Sequence, residues 1–96
     1  MPDFDYKGFM TDFAIADRFG IAAVRDTYDR AFKEWKDNVS YFASLVMTLN
    51  HRLWMWYDAK NERMAKLYDE LWKKADEWGC EHFTGADAEY YFRFLD

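Results

Sequence analysis

The sequence predicts an all-α protein, with a three-helix bundle core and short N- and C-terminal helices packed on a central apolar helix. Three observations predict this class. The middle of the chain carries two apolar stripes at helical spacing, the long stretches on either side carry one stripe each, and short polar breaks separate them. A chain of 96 residues suffices for one domain that buries about 60 to 70 % of its unfolded surface.

The central stretch, from Asn38 to Tyr57, is apolar around more than half of the helix. Its first stripe consists of Phe42, Leu45, Val46, Leu49, Leu53 and Trp56, and its second of Ala43, Met47, Trp54 and Tyr57. At about 100° per residue the two stripes together cover about 200°. We therefore expect this helix to have neighbours on two sides.

The beginning of the chain predicts a flexible or extended N-terminal arm over residues 1–10, followed by a single helical domain over residues 11–96. Residues 1–10 contain Pro2, Gly8 and isolated aromatic residues, a pattern too sparse for a helix. Thr11 is a suitable N-cap for a short helix from Asp12 to Phe19, which Gly20 would end. A strand stays open as an alternative, because apolar residues also fall at alternate positions here.

The remaining helices follow from their stripes and caps. A single stripe predicts a helix from Ile21 to Trp35, and either Asp37 or Asn38 would cap the central helix. Asn61 would cap the third long helix. Its stripe consists of Met64, Leu67, Tyr68, Leu71, Ala75 and Trp78.

The end of the third long helix is open to two interpretations. Gly79 would end it early, and a continued stripe would carry it to about Phe83, with Gly85 as its C-terminal residue. Asp87 would then cap a last short helix from Ala88 to Leu95.

The charge distribution disfavours a general nucleic-acid binder and an anionic-membrane binder. The net charge is −5, with −2 on residues 1–20, −3 on residues 80–96 and ten charges of each sign between them. Binding to phosphates needs a basic surface instead. The single cysteine favours a reducing compartment, and neither a secretory signal nor a transmembrane stretch is recognisable, so we expect a cytoplasmic protein.

The aromatic residues supply the candidate interaction surface. Aromatic side chains make up 22 % of the chain, more than one small core normally uses. Trp54 and Trp56 lie about 200° apart on one helix, so one neighbour cannot cover both. Either the terminal segments wrap the second side, or a protein partner or a second copy of the chain (a homodimer) covers Trp54, Tyr57 and Trp72.

Polar residues within the apolar stretches give no chemical site. Asn50 and His82 are the buried polar residues to check, and each is expected to bond to backbone or, for Asn50, to a partner. A zinc site at Cys80 and His82 is disfavoured, since these donors are one residue apart on a helix and no metal-binding motif accompanies them. We therefore predict no catalytic residues, no cofactor, no metal and no enzymatic activity.

A helix-turn-helix over residues 16–32 was also considered for DNA binding. Ala16, Gly20 and Ile21 fit the turn of that motif. Asp26 and Asp29 occupy positions where the recognition helix needs apolar side chains, and their charge repels phosphates. A degenerate helix-turn-helix in a DNA-binding regulator is therefore the least favoured of three functional hypotheses.

Three segments carry a resemblance to a known group of proteins. These are MTDFAIADRFGIAAVRDTYDRAFKEWK, VMTLNHRLWMWY and LYDELWKKADEW, in that order. From Met10 to Asp96 the chain resembles small uncharacterised proteins encoded on integrative and conjugative elements of gut Firmicutes. The resemblance implies a cytoplasmic accessory protein of a mobile element, and it transfers no activity and no functional residue.

Two further hypotheses follow from the residues. The surplus aromatics, the acidic ends and the missing chemical site favour a non-enzymatic protein that acts through protein–protein interaction. The alternative is an acidic inhibitor or nucleic-acid mimic that acts on a host defence enzyme.

Overall fold

The computed structural model describes residues 8–95, the last two by their backbone alone, and its secondary structure in that range is helical throughout. The five helices are α1 (Phe9–Asp17), α2 (Ile21–Trp35), α3 (Val39–Asp58), α4 (Glu62–His82) and α5 (Gly85–Leu95). The all-α prediction is confirmed. No helix within the described range is long and apolar enough to cross a membrane.

Helix α1 begins earlier than the sequence predicts. Its N-cap is Gly8, at φ 74°, so Thr11 lies inside the helix and does not cap it. Phe9 and Met10, which the sequence assigns to the arm, belong to α1. The reason is tertiary: Phe9 is only 2 % exposed, and its burial favours one more helical turn. The strand alternative is not adopted, and the arm's residues 1–7 lie outside the described range.

The N-caps of the two long central helices are as predicted. The Asn38 side chain accepts a hydrogen bond from the Tyr41 amide at 3.2 Å, which selects Asn38 over Asp37 as the cap of α3. The Asn61 side chain accepts from the Met64 amide at 3.1 Å. Each asparagine satisfies one of the amides that a helix start leaves without a partner.

Helix α4 continues through Gly79 and ends at His82, close to the later of its two predicted ends. Gly79 is a close-contact position, because a Cβ built on it would lie 2.8 Å from Cζ of Tyr91. Helix α5 begins at Gly85, three residues before the predicted start, and Asp87 therefore lies in its first turn. Gly85 has φ 60°, a conformation that glycine adopts readily and that allows the short link from α4.

Helix α3 is the centre of the packing and contacts each of the other four helices, α4 most extensively. Its inward side chains are fully buried from Phe42 to Val46 and again at Thr48 and Leu49. Helix α4 contributes Leu67, Tyr68, Leu71 and Ala75 to the same core. The expectation that α3 has neighbours on more than one side agrees with this packing.

Candidate interaction surface

Trp54 and Tyr57 form an exposed aromatic pair near the end of α3. Their side chains are 55 % and 65 % exposed, and their ring centroids lie 5.6 Å apart in an edge-to-face arrangement. Met55 beside them is 37 % exposed. We call these three residues the α3 face.

The α3 face lies on a helix that is almost without charge. Between Val39 and Tyr57 the only Asp, Glu, Lys or Arg is Arg52. The Arg52 side chain is only 6 % exposed, because it points into the protein. The exposed part of this helix therefore combines aromatic and thioether groups with little charge, a composition typical of interface centres.

Trp72, the third residue of the sequence-predicted surface, has a different environment. It lies on α4, is half-buried and packs against the hydrophobic core. The structure brings Trp54 and Tyr57 together, and it gives no ring contact between Trp72 and either of them among the described residues. Trp72 is therefore left out of the α3 face.

Trp56 turns inward and thereby leaves Trp54 outside. The indole Nε1 of Trp56 donates a hydrogen bond to the Asp17 carboxylate at 3.1 Å. Two residues correspond to about 200° on a helix, so the side chain of Trp54 points away from this contact. The anchored Trp56 explains which of the two tryptophans is available to a partner.

Asp17 is the centre of a buried polar cluster that joins three helices. Its carboxylate also accepts hydrogen bonds from Arg52 of α3 and from the Tyr68 hydroxyl of α4, the latter at 2.5 Å. The Asp17 side chain is 7 % exposed. Burial, together with the hydrogen bond to Asp17, raises the pKa of the Tyr68 hydroxyl well above its usual range. Neutral Tyr68 is thus a donor that keeps the carboxylate in place.

Arg52 completes the cluster in an unequal way. One of its terminal nitrogens donates to Asp17, and its guanidinium carbon lies 5.8 Å from the centre of the Tyr68 ring. Its Nε is buried and has no hydrogen-bond partner among the described residues. The ion pair therefore compensates the charge of Arg52 but leaves one of its donors without an acceptor.

The sequence analysis did not identify the Asp17 cluster. A usable signal was present in α3, since a single arginine in an apolar helix needs a buried counter-charge. The choice of Asp17 as that counter-charge depends on how α1 packs against α3, which the local pattern does not reveal.

Much of the aromatic surplus is absorbed in the core. The ring of Trp78 lies 5.2 Å from Phe32 and 5.2 Å from Phe42, and the ring of Tyr91 lies 5.4 Å from Phe83. The Tyr91 hydroxyl donates to Asp76 at 2.7 Å. Aromatic content alone therefore overstates the surface left for a partner, and exposure identifies the relevant residues.

Asn50 and His82, expected among the buried polar residues, are more accessible than predicted. Asn50 is half-buried. His82 is exposed, because its ring stacks on the outer side of Trp78 at 4.1 Å instead of entering the core. His82 Nδ1 lies 2.9 Å from the Trp78 carbonyl oxygen. Neither residue converges with acids into a catalytic arrangement.

Other exposed apolar residues lie on α1 and the turn that follows it. Phe19 is 76 % and Ile15 53 % exposed, and both border a groove of about 460 Å³ between α1 and α2. Charged residues also line this groove, among them Asp12, Asp26 and Arg30. Phe19 is therefore an exposed aromatic residue in a setting different from the α3 face.

The ionisable side chains supply no recognisable metal site within the described part of the chain, where no three His, Cys, Asp or Glu residues are grouped for an ion. Cys80 is exposed, and its Sγ lies 3.9 Å from Asp76. Desolvation and the nearby Asp76 charge raise the pKa of the Cys80 thiol.

Comparisons with protein-family models, curated proteins and solved structures yield no match for this chain.

Proposed function

We propose that this protein is a non-enzymatic interaction protein that presents the α3 face to another protein. Its resemblance to proteins of integrative and conjugative elements supports a role as a cytoplasmic accessory protein of a mobile element. We further propose that α2, α3 and α4 act as a three-helix core. On that core α1 and α5 are the shorter helices that leave the α3 face open.

The observation that carries the proposal is the exposed pair of Trp54 and Tyr57 on a helix with almost no surface charge. Tryptophan and tyrosine dominate the binding energy of protein interfaces, because they bury a large area at a low cost in side-chain entropy. Exposing them in water is unfavourable, so a partner that covers them gains free energy. A partner with a complementary apolar patch fits this surface.

Affinity capture from a host lysate tests the proposal. Tagged wild-type protein is compared with Trp54→Ala and Tyr57→Ala, with nuclease present, and retained proteins are identified by mass spectrometry. Phe19→Ala is the matched control, since it removes a more exposed aromatic ring outside the α3 face. We expect specific proteins that the control retains and the two variants lose. Equal capture by all four proteins would refute the role of this face.

The acidic-inhibitor hypothesis relies on a different surface. Glu81, Asp87 and Glu89 are exposed near the end of the chain. Glu89 is bonded to Arg93 at 2.8 Å, which partly compensates its charge. A complex formed mainly by these acids would dissociate as salt is raised, whereas one formed by the α3 face would persist. Salt dependence of the captured complex therefore separates the two hypotheses.

The DNA-binding hypothesis receives little support from α2, the would-be recognition helix. Arg25 donates to Glu70 and Arg30 pairs with Asp26 at 3.2 Å, so two of its cations already face carboxylates. Asp26 and Asp29 are exposed on the same helix. A gel shift that weakens with salt would be the result that revives this hypothesis.

A further inference from the structure

One side of α3 is covered in its first half and open in its second half. Ala43, Met47 and Trp54 share this side of the helix at about 100° per residue. Ala43 is fully buried, Met47 is half-buried and Trp54 is 55 % exposed. Helix α5 packs against α3, and its Tyr91 ring lies 6.2 Å from Phe42 in the covered half. The open half thus continues a side of α3 that is packed elsewhere in the fold.

Charge determines what kind of occupant fits the open half. The outer sides of α2 and α4 carry charged residues, some of them in ion pairs such as Arg25 with Glu70. The α3 face has none. A two-fold interface places a surface patch against the same patch of the other copy, so a charged patch meets its own charge. Burying the charged sides of α2 or α4 would also desolvate their ions.

A second copy of the chain is therefore favoured over a strongly charged partner. Two copies each carry a net charge of −5 and repel one another over most of their surfaces. The repulsion is smallest where the α3 faces meet. A basic partner, attracted by the net charge, would gain no ion pair from Trp54, Met55 or Tyr57.

We propose that two copies of this protein associate through their α3 faces about a two-fold axis that passes beside Trp54 and Tyr57. The inference rests on the proposed function, since it names the partner of the same surface. The three side chains form the centre of the contact, and a stable interface buries about 800 Å² on each partner. Because so few exposed apolar side chains are available, the dimer is reversible and depends on concentration.

Sedimentation velocity across the micromolar range tests the dimer. We expect the mass to rise with concentration from that of one chain, 11.7 kDa, to twice that value. Trp54→Ala should weaken association by about tenfold or more, as truncation of a central tryptophan does in other interfaces. Phe19→Ala should leave it unchanged. A chain that stays monomeric throughout, or a dimer that Trp54→Ala does not weaken, would overturn the proposal.

Opposite charges at Tyr57 test the two-fold arrangement itself. Tyr57→Glu and Tyr57→Lys should each be monomeric alone, because equal charges face one another across the axis. An equimolar mixture of the two should form a mixed dimer, detectable by native mass spectrometry. Failure of the mixture to associate would overturn the proposed axis. Unchanged circular dichroism of each variant confirms that the monomers are folded.

The outcome also separates this inference from the proposed function. A monomeric chain whose Trp54→Ala variant loses a captured protein would refute the second copy and leave the interaction role intact. A dimer that Trp54→Ala disrupts supports the second copy even where no other protein is retained. Equal capture and equal mass for wild type and variant would refute both.

Discussion

The Asp17 carboxylate accepts a hydrogen bond from the Tyr68 hydroxyl at 2.5 Å, and this contact joins the last residue of α1 to α4. The same carboxylate accepts from Arg52 and Trp56 of α3. Helix α1 has nine residues, fewer than the roughly 12 to 15 that an isolated helix needs in water. Its stability therefore depends on this cluster and on its buried phenylalanines.

Replacing Asp17 by alanine should lower the free energy of unfolding by about 3 to 5 kcal/mol, because Arg52 then stays buried without a counter-charge. Urea unfolding followed by circular dichroism measures the change. Asp12→Ala, which removes an exposed acid of the same helix, should change stability by about 0.5 kcal/mol or less.

The double variant with Asp17→Ala and Arg52→Met checks the cause of that loss. Removing both charges avoids the unpaired cation, so this protein should be more stable than Asp17→Ala alone. If the double variant were the less stable of the two, the unpaired-charge explanation would be contradicted.

Tyr28 should make stability fall in alkaline solution. Burial, with a contribution from the Asp29 charge, raises the pKa of Tyr28 to about 12. An unfolded tyrosine ionises near pH 10, so the folded state holds this proton more tightly. The resulting stability, about 2 to 3 kcal/mol, is fully present below pH 10 and is lost as the pH rises to about 12.

Tyr28→Phe tests this dependence. The Tyr28 hydroxyl is buried and lacks a hydrogen-bond partner among the described residues, so its removal should cost little at neutral pH. Urea unfolding between pH 8 and about 12 should show a shallower decline in the variant than in wild type. Equal declines would exclude Tyr28 as a source of the alkaline instability.

Alanine at Gly79 should destabilise the protein despite its better helix propensity. A Cβ there would lie 2.8 Å from Cζ and 2.9 Å from Oη of Tyr91, which is fully buried and bonded to Asp76. Overpacking costs about 1 to 3 kcal/mol, against a propensity gain of about 1 kcal/mol. Thermal unfolding should show a lower Tm, and adding Tyr91→Leu should make the Gly79→Ala change less harmful. A raised Tm in Gly79→Ala alone would contradict the contact.

Cys80 should be alkylated slowly in the folded protein although it is exposed. Desolvation and the Asp76 charge raise the pKa of its thiol, and only the thiolate reacts. Iodoacetamide labelling at neutral pH, followed by mass spectrometry, should be slower for the native chain than for the chain in urea. Asp76→Asn should speed the native reaction, and an unchanged rate would show that the carboxylate is not responsible.

Features fixed by local chemistry could be predicted from the sequence. The bounds of α2 and the caps Asn38 and Asn61 depend on residues a few positions away, and they match the structure. The start of α1 could not be predicted, because it is set by the burial of Phe9 against distant helices. The start of α5 likewise depends on the turn at Gly85.

The candidate site was predictable to the same extent. The separation of Trp54 from Trp56 along one helix already required that one of them face away from the core. The choice between them needed the bond from Trp56 to Asp17, which spans 39 positions in the chain. The packing of Trp72 and the outward stacking of His82 also depend on neighbours remote in sequence.

The Asp17 cluster has a consequence for the order in which the chain folds. Its bonds join residues 35, 39 and 51 positions apart, whereas α3 and α4 meet across a short turn. Contacts close in sequence cost less loop-closure entropy and form earlier. We therefore expect the α3–α4 hairpin to nucleate folding and α1 to dock after the transition state. Loss of the Asp17 carboxylate would then accelerate unfolding and leave the refolding rate almost unchanged.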